Sequence, residues 1–146
     1  MNTLEQLLAE RNILKSINQL FIGTDRKDWA AVEAVFAPQV VFDMTSMGAP
    51  EVKQLSPKQI TAAWEEGLKD IEHLHHQTGN FEMEIEGARA QASCYGIAYH
   101  YRSWPDGHNT RAFVGDYAFQ LVLQDGHWLI NHFRFNLKFI EGNPDL

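Results

Sequence analysis

The chain has one cysteine, Cys94, so it can form no internal disulfide and offers no cysteine spacing of the kind that builds a structural zinc site. Ala92 and Gly96, its neighbours at strand spacing, mark Cys94 as a small packed residue, and nothing cationic stands near in sequence to make it a reactive thiolate. Long apolar runs are also missing. No stretch reaches the length that spans a bilayer, and the opening MNTLEQLLAERNILK has neither the basic nor the continuous apolar segment of a secretory signal. A soluble, cytoplasmic protein without membrane contact is expected. Basic clusters are absent too: the net charge of −7 would repel a phosphate backbone, which argues against a nucleic-acid partner. Charged residues make up only 21% and are well mixed, unlike a disordered tail. There is no internal repeat and no low-complexity segment.

What is present is the material of a core. The 146 residues are 45% hydrophobic and 12% aromatic, and a chain of this length buries roughly two-thirds of its unfolded surface as one domain, 1–146. Thr3 and Gln6 have the form of a capping box, followed by Leu4, Leu7, Leu8, Leu14, Phe21 and Ile22 at helical spacing. A second, shorter helix is expected from Asp28 through Phe36, stopping before Pro38, and Val40–Phe42 reads as a strand. Ser56 as N-cap, Pro57 at the first helical position and Gln59 open a third helix with Ile60, Ala63, Trp64 and Leu68 on its stripe. From His75 onward the period becomes two. Glu86-Gly87 and Asp125-Gly126 mark hairpin turns, with a looser loop at Ser103–Asn109 between them. Three helices followed by a curved antiparallel sheet make an α+β domain.

Polar residues on apolar faces are the candidates for chemistry. Asp25 falls on the side of Leu7, Leu14 and Phe21 if the first helix runs past Gly23; if the helix ends there, Asp25 merely caps the next one. Of the seven histidines, His73, His75 and His76 crowd the start of the first long strand. Only His75 or His76 can face inward at one register, and local periodicity does not choose between them. No ligand spacing of a metal site accompanies them, so no metal is expected. His100 shares a face with Cys94, Gly96 and Ala98, small residues that leave space for a pocket beside a titratable group. Asp116 aligns with Val114, Ala118 and Val122, and Arg134 with Trp128, Ile130 and His132. This pair reads either as pocket members or as a buried salt bridge. Trp104 and His108 lie in a loop, and His127 follows a hairpin glycine.

The stretches FIGTDRKDWAAVEAVFAPQVVFD, HHQTGNFEMEIEGARAQASCYGIAYHY and FQLVLQDGHWLINHFRF resemble, in order and spacing, the opening, first long hairpin and last hairpin of SnoaL-like proteins of the nuclear transport factor 2-like superfamily. The resemblance covers most of the chain and implies a cone, with three N-terminal helices packed in a strongly curved antiparallel sheet around one apolar pocket. Within the superfamily the sequence is similar to scytalone dehydratase and hexachlorocyclohexane dehydrochlorinase. That similarity implies an Asp-His dyad at Asp25 and His76, a second pocket histidine at His100, and a pocket arginine at Arg134. The helpers differ: Thr24 stands where the dehydratase has a tyrosine, and Leu20 where the dehydrochlorinase has a lysine.

The resemblance points to a cofactor-independent lyase or isomerase acting on a small apolar cyclic molecule, with Asp25 and His76 catalytic and His100, Asp116 and Arg134 around the substrate. The alternative it carries is a non-catalytic ligand-binding or subunit-assembly module, such as a ring-hydroxylating dioxygenase small-subunit-like protein. If those pocket assignments hold, Tyr95, Ile97, Tyr99, Phe113, Tyr117, Phe119, Leu121, Phe133 and Phe135 face outward. So much exposed apolar surface implies a homodimer or homotrimer.

Overall fold

The first helix starts one residue off its expected cap. In the computed structural model, which describes Met1–Leu146, α1 spans Thr3–Asp25. Asn2 is the N-cap: its side-chain oxygen accepts from the Glu5 N–H at 2.9 Å, and the Glu5 carboxylate accepts from the Asn2 N–H at 3.0 Å. Asn caps at least as well as Thr, and a carboxylate in the first turn meets the positive end of the helix dipole, so this box displaces the Thr3–Gln6 one. The buried stripe moves as well. Ala9, Ile13, Ile17, Leu20 and Phe21 go in, while Leu4, Leu7, Leu8 and Ile22 remain exposed. The helix continues through Gly23, where a Cβ would sit 2.9 Å from Val32 of α2 (Trp29–Glu33); the glycine lets the two helices close up. Asp25 is thereby carried to the inner side as the last helical residue.

Asp28 caps α2 as the sequence suggests, but α2 ends at Glu33, and β1 (Phe36–Asp43) already contains Phe36 and Pro38. Pro38 is tolerated because β1 makes no ladder pair with its parallel neighbour between Phe36 and Val41, so its missing N–H leaves no bond unmade. A short β2 (Lys53–Leu55) leads into α3 (Pro57–Leu68), which has the expected Ser56–Gln59 capping box. Four long strands follow: β3 (His73–Glu86), β4 (Arg89–Tyr101), β5 (Thr110–Gln124) and β6 (His127–Gly142). The hairpin at Asp125-Gly126 has positive φ at both residues, 51° and 79°, which the Asp-Gly pair accepts at low cost. The sheet order is β2-β1-β6-β5-β4-β3, antiparallel throughout except for the parallel β1–β6 pair.

This α+β arrangement is the helix-filled cone. Its curvature comes from bulges: β3 shifts register between Gly79 and Glu82, and β6 shifts opposite Gln120/Leu121 and opposite Val114/Gly115. The bulge at Asn131 reverses which residues of β6 look inward. Trp128 and Ile130 are buried before it, and Phe133 and Phe135 after it. Strict alternation from Trp128 instead put His132 and Arg134 inside.

On β5 both alternating sets are apolar, so pairing decides the face. Residues directly opposite in an antiparallel pair share a side. Cys94 lies opposite Tyr117, Ala98 opposite Phe113 and His100 opposite Arg111. The small residues of β4 thus face the large ones of β5, and Asp116, opposite Tyr95, turns outward. Phe113, Tyr117, Phe119, Leu121, Phe133 and Phe135, read from the sequence as outer-face residues, are inside the cone. Tyr95 and Tyr99 remain outside, with Phe139 and Ile140 of the β6 end also exposed. The apolar outer area behind the expected dimer or trimer is correspondingly smaller. Twenty buried residues form the core cluster, and no helix is long and apolar enough to cross a membrane.

Candidate active site

The cone holds a cavity of about 270 Å³, walled by α1, α3, the Met44–Met47 segment and the long strands. Its lining is mostly apolar: Leu20, Phe21, Trp64, Phe113, Phe133 and Phe135 among others. The polar groups are few and grouped, namely Thr24, His76, His100, Arg111 and Tyr117. Thr24 is not a free donor, because its hydroxyl donates to the Leu20 carbonyl at 2.7 Å within α1. Burial pushes the Tyr117 phenol upward, with the charge of Asp25 adding to the shift, so it stays protonated.

Asp25 at the end of α1 meets His76 near the start of β3. One carboxylate oxygen lies 2.6 Å from His76 Nδ1, and the other accepts the His76 backbone N–H at 3.1 Å. The second bond fixes the carboxylate against the strand, so the first has a set direction. Both side chains are largely shielded, with 12% of His76 and 20% of Asp25 exposed. A carboxylate only accepts, so Nδ1 carries the proton and Nε2 of the neutral ring keeps its lone pair. Phe21 packs beside the imidazole at 5.1 Å between ring centroids and limits its rotation.

A second histidine has the opposite protonation pattern. Arg111 Nε donates to His100 Nδ1 at 3.2 Å. A guanidinium cannot accept, so the neutral His100 ring carries its proton on Nε2. Burial, helped by the positive charge of Arg111 and opposed by Asp25, lowers the His100 pKa to about 4. His100 is therefore a neutral hydrogen-bond donor at neutral pH. The cavity thus contains a ring with a free lone pair and a ring with a free N–H, a pairing suited to moving a proton from one atom while supporting charge on another.

Residues 5–134 match the SnoaL-like domain family. The chain belongs to this SnoaL-like family. Solved structures share its fold at low identity. The Kfla4162 protein from Kribbella flavida is 17% identical with a TM-score of 0.86, over 90% of this chain and 92% of that one. A provisionally named scytalone dehydratase from Novosphingobium aromaticivorans is 13% identical with a TM-score of 0.85, over 97% and 92%. Hexachlorocyclohexane dehydrochlorinase LinA-type3 from Novosphingobium barchaimii is 11% identical with a TM-score of 0.82, over 99% and 97%. No protein of curated function matches the sequence.

Of the residues singled out from the sequence, this SnoaL-like cone brings His76 and His100 to the cavity wall, with Asp25 behind His76, and leaves two elsewhere. Asp116 accepts a hydrogen bond from Asn136 at 2.9 Å on the outer face. Arg134 is 54% exposed and lies 3.7 Å from Asp43, whose carboxyl is held below the usual range chiefly by hydrogen bonds from Thr45. They do not pair with each other, and neither lines the cavity. His75 faces outward beside Tyr99. Cys94 is buried, and that burial pushes its thiol up to about 12, so it is inert. No group of three or more His, Cys, Asp or Glu side chains is placed to hold a metal ion. The sequence reading passed over Arg111. Its signal lay in the β4–β5 pairing across the Ser103–Asn109 loop, which sets Arg111 opposite His100.

Proposed function

We propose that this SnoaL-like protein is a lyase or isomerase that needs no cofactor, with His76 as the general base and Asp25 as its orienting partner. The observation that carries this reading is the 2.6 Å Asp25–His76 pair with the imidazole on the wall of an apolar cavity. His76 Nε2 removes a proton from a substrate carbon. The released electron pair forms a double bond to the neighbouring carbon, and the leaving group departs from that carbon with its own pair. In an isomerisation the proton returns at a different carbon instead. Asp25 stabilises the imidazolium as it forms, and His100 donates its Nε2–H to the oxygen or leaving group that gains charge. Exclusion of water strengthens each of these interactions. The fold neighbours named as a scytalone dehydratase and a hexachlorocyclohexane dehydrochlorinase both carry names of eliminations, which agrees with this chemistry. The aromatic lining selects a small, largely apolar cyclic molecule.

The test is turnover on a panel of hydroxylated and halogenated cyclic compounds, followed by Asp25→Asn on any substrate found. Asparagine can present N–H to Nδ1 and reverse the tautomer, so kcat drops on the order of 10³- to 10⁴-fold. Nitrogen-15 shifts of His76 report the reversed tautomer independently. Unchanged turnover in Asp25→Asn eliminates the dyad mechanism.

A further inference from the structure

Arg111 is a cation set into an apolar pocket with most of its donors unused. Of the five N–H groups of a guanidinium, Nε serves His100 and one Nη1 N–H reaches the main-chain oxygen of Leu146 at 2.7 Å, which leaves three. No Asp or Glu side chain lies within ion-pair distance. The guanidinium also sits 5.2 Å from the centroid of the Phe113 ring, so one side is screened from water by an aromatic face that itself lines the cavity. Burial lowers the Arg111 pKa, which is the same desolvation seen from the arginine's side.

A partly desolvated cation gains most from an anion delivered into the same apolar space, and its planar fork matches the two oxygens of a carboxylate. We infer that Arg111 forms an anion subsite in this pocket, and that the substrate is a small cyclic or aromatic carboxylate held by its carboxylate at Arg111, which leaves the His100 Nε2–H for the charge that develops in the reaction. The carboxylate takes the spare guanidinium donors. The ring lies along the aromatic wall, and the reacting C–H faces His76. The apolar cavity of about 270 Å³ accommodates about one or two rings. The anchor stands apart from the carbon that loses its proton, so its charge holds the molecule without suppressing deprotonation.

This assignment rests on the lyase reading for the cavity being the working site, but its test needs no turnover. The probes are 2-naphthoate and the nearly isosteric neutral 2-naphthamide, titrated calorimetrically into the full chain at pH 7.5. The carboxylate binds at least tenfold more tightly than the amide to the wild type. In Arg111→Gln the ratio falls to about one with amide binding retained, and Arg111→Lys recovers part of it. Thermal unfolding of each variant checks the fold, and the wild-type comparison stands even if Arg111→Gln fails to fold. Equal binding of the two probes, binding of neither, or a preference that survives Arg111→Gln overturns the subsite and leaves Arg111 as a tether for the Leu146 end. His76→Ala separates the two readings: it retains the naphthoate preference while abolishing turnover. A preference for carboxylate in a protein whose turnover ignores Asp25 and His76 defeats the lyase reading alone.

Discussion

The stability of the protein should carry the signature of His100, and the signature can be measured without a substrate. His100 is buried beside Arg111, and its pKa falls from the ordinary 6.5 to about 4. Burial is the main cause because it removes water from the imidazolium, and the adjacent guanidinium adds repulsion. Between these two values the unfolded chain binds a proton that the folded chain refuses, so stability rises with pH across this window and falls as acid is added. The shift corresponds to about 3 kcal/mol, fully lost below the folded pKa, with about 2 kcal/mol already lost at pH 5. Other groups titrate over the same range, so the comparison is wild type against His100→Gln. The glutamine side chain never ionises, and its carbonyl can still accept from Arg111 Nε. Urea unfolding at pH 7, 6, 5 and 4.5 should show the wild type losing stability relative to His100→Gln by about this amount, whatever offset the two have at pH 7. Parallel curves would refute the claim that His100 is held neutral, and with it the assignment of His100 as a neutral donor.

Two further outcomes follow from the packing. Gly96→Ala places a methyl against the Tyr117 ring, with Cδ2 at 2.8 Å from the new carbon, and that ring lines the cavity. The variant should lose about 1–3 kcal/mol by overpacking and bind cavity ligands more weakly, read by thermal unfolding and calorimetry; wild-type values for both would contradict the packing described. Ser56→Ala removes the acceptor for the Gln59 N–H at the start of α3 and should cost about 1 kcal/mol in urea unfolding. A loss of that size leaves the fold intact and tests whether the capping box is a real support for the helix that walls the cavity.

Much of the site was legible because it rested on local chemistry. The capping box of α3, the Asp-Gly hairpin and the row of small residues on β4 each have a short-range cause, and each was readable in sequence. Asp25 was readable as inward only on condition that α1 passed Gly23. That condition is met because a glycine there lets α1 close against α2. His76 over His75 was supplied by family resemblance, since a period of two is silent about which parity faces in. The errors have one origin. Asp116 and Arg134 were assigned to the cavity by extending alternation along β5 and β6. The Asn131 bulge in β6 inverts the parity, and β5 is apolar on both faces.

The sequence by itself determined the α+β class, the order of the elements, most helix starts and hairpin turns, and the residue types able to do acid-base chemistry. Those depend on contacts within a turn or a hairpin. Tertiary structure alone decided which face of each long strand closes the cone, that Asp25 and His76 approach to 2.6 Å across 51 residues, and that Arg111 rather than Arg134 is the pocket's cation. Each of these follows from strand register and bulges, and register is set by how side chains from distant strands fill one cavity. No single strand records that information.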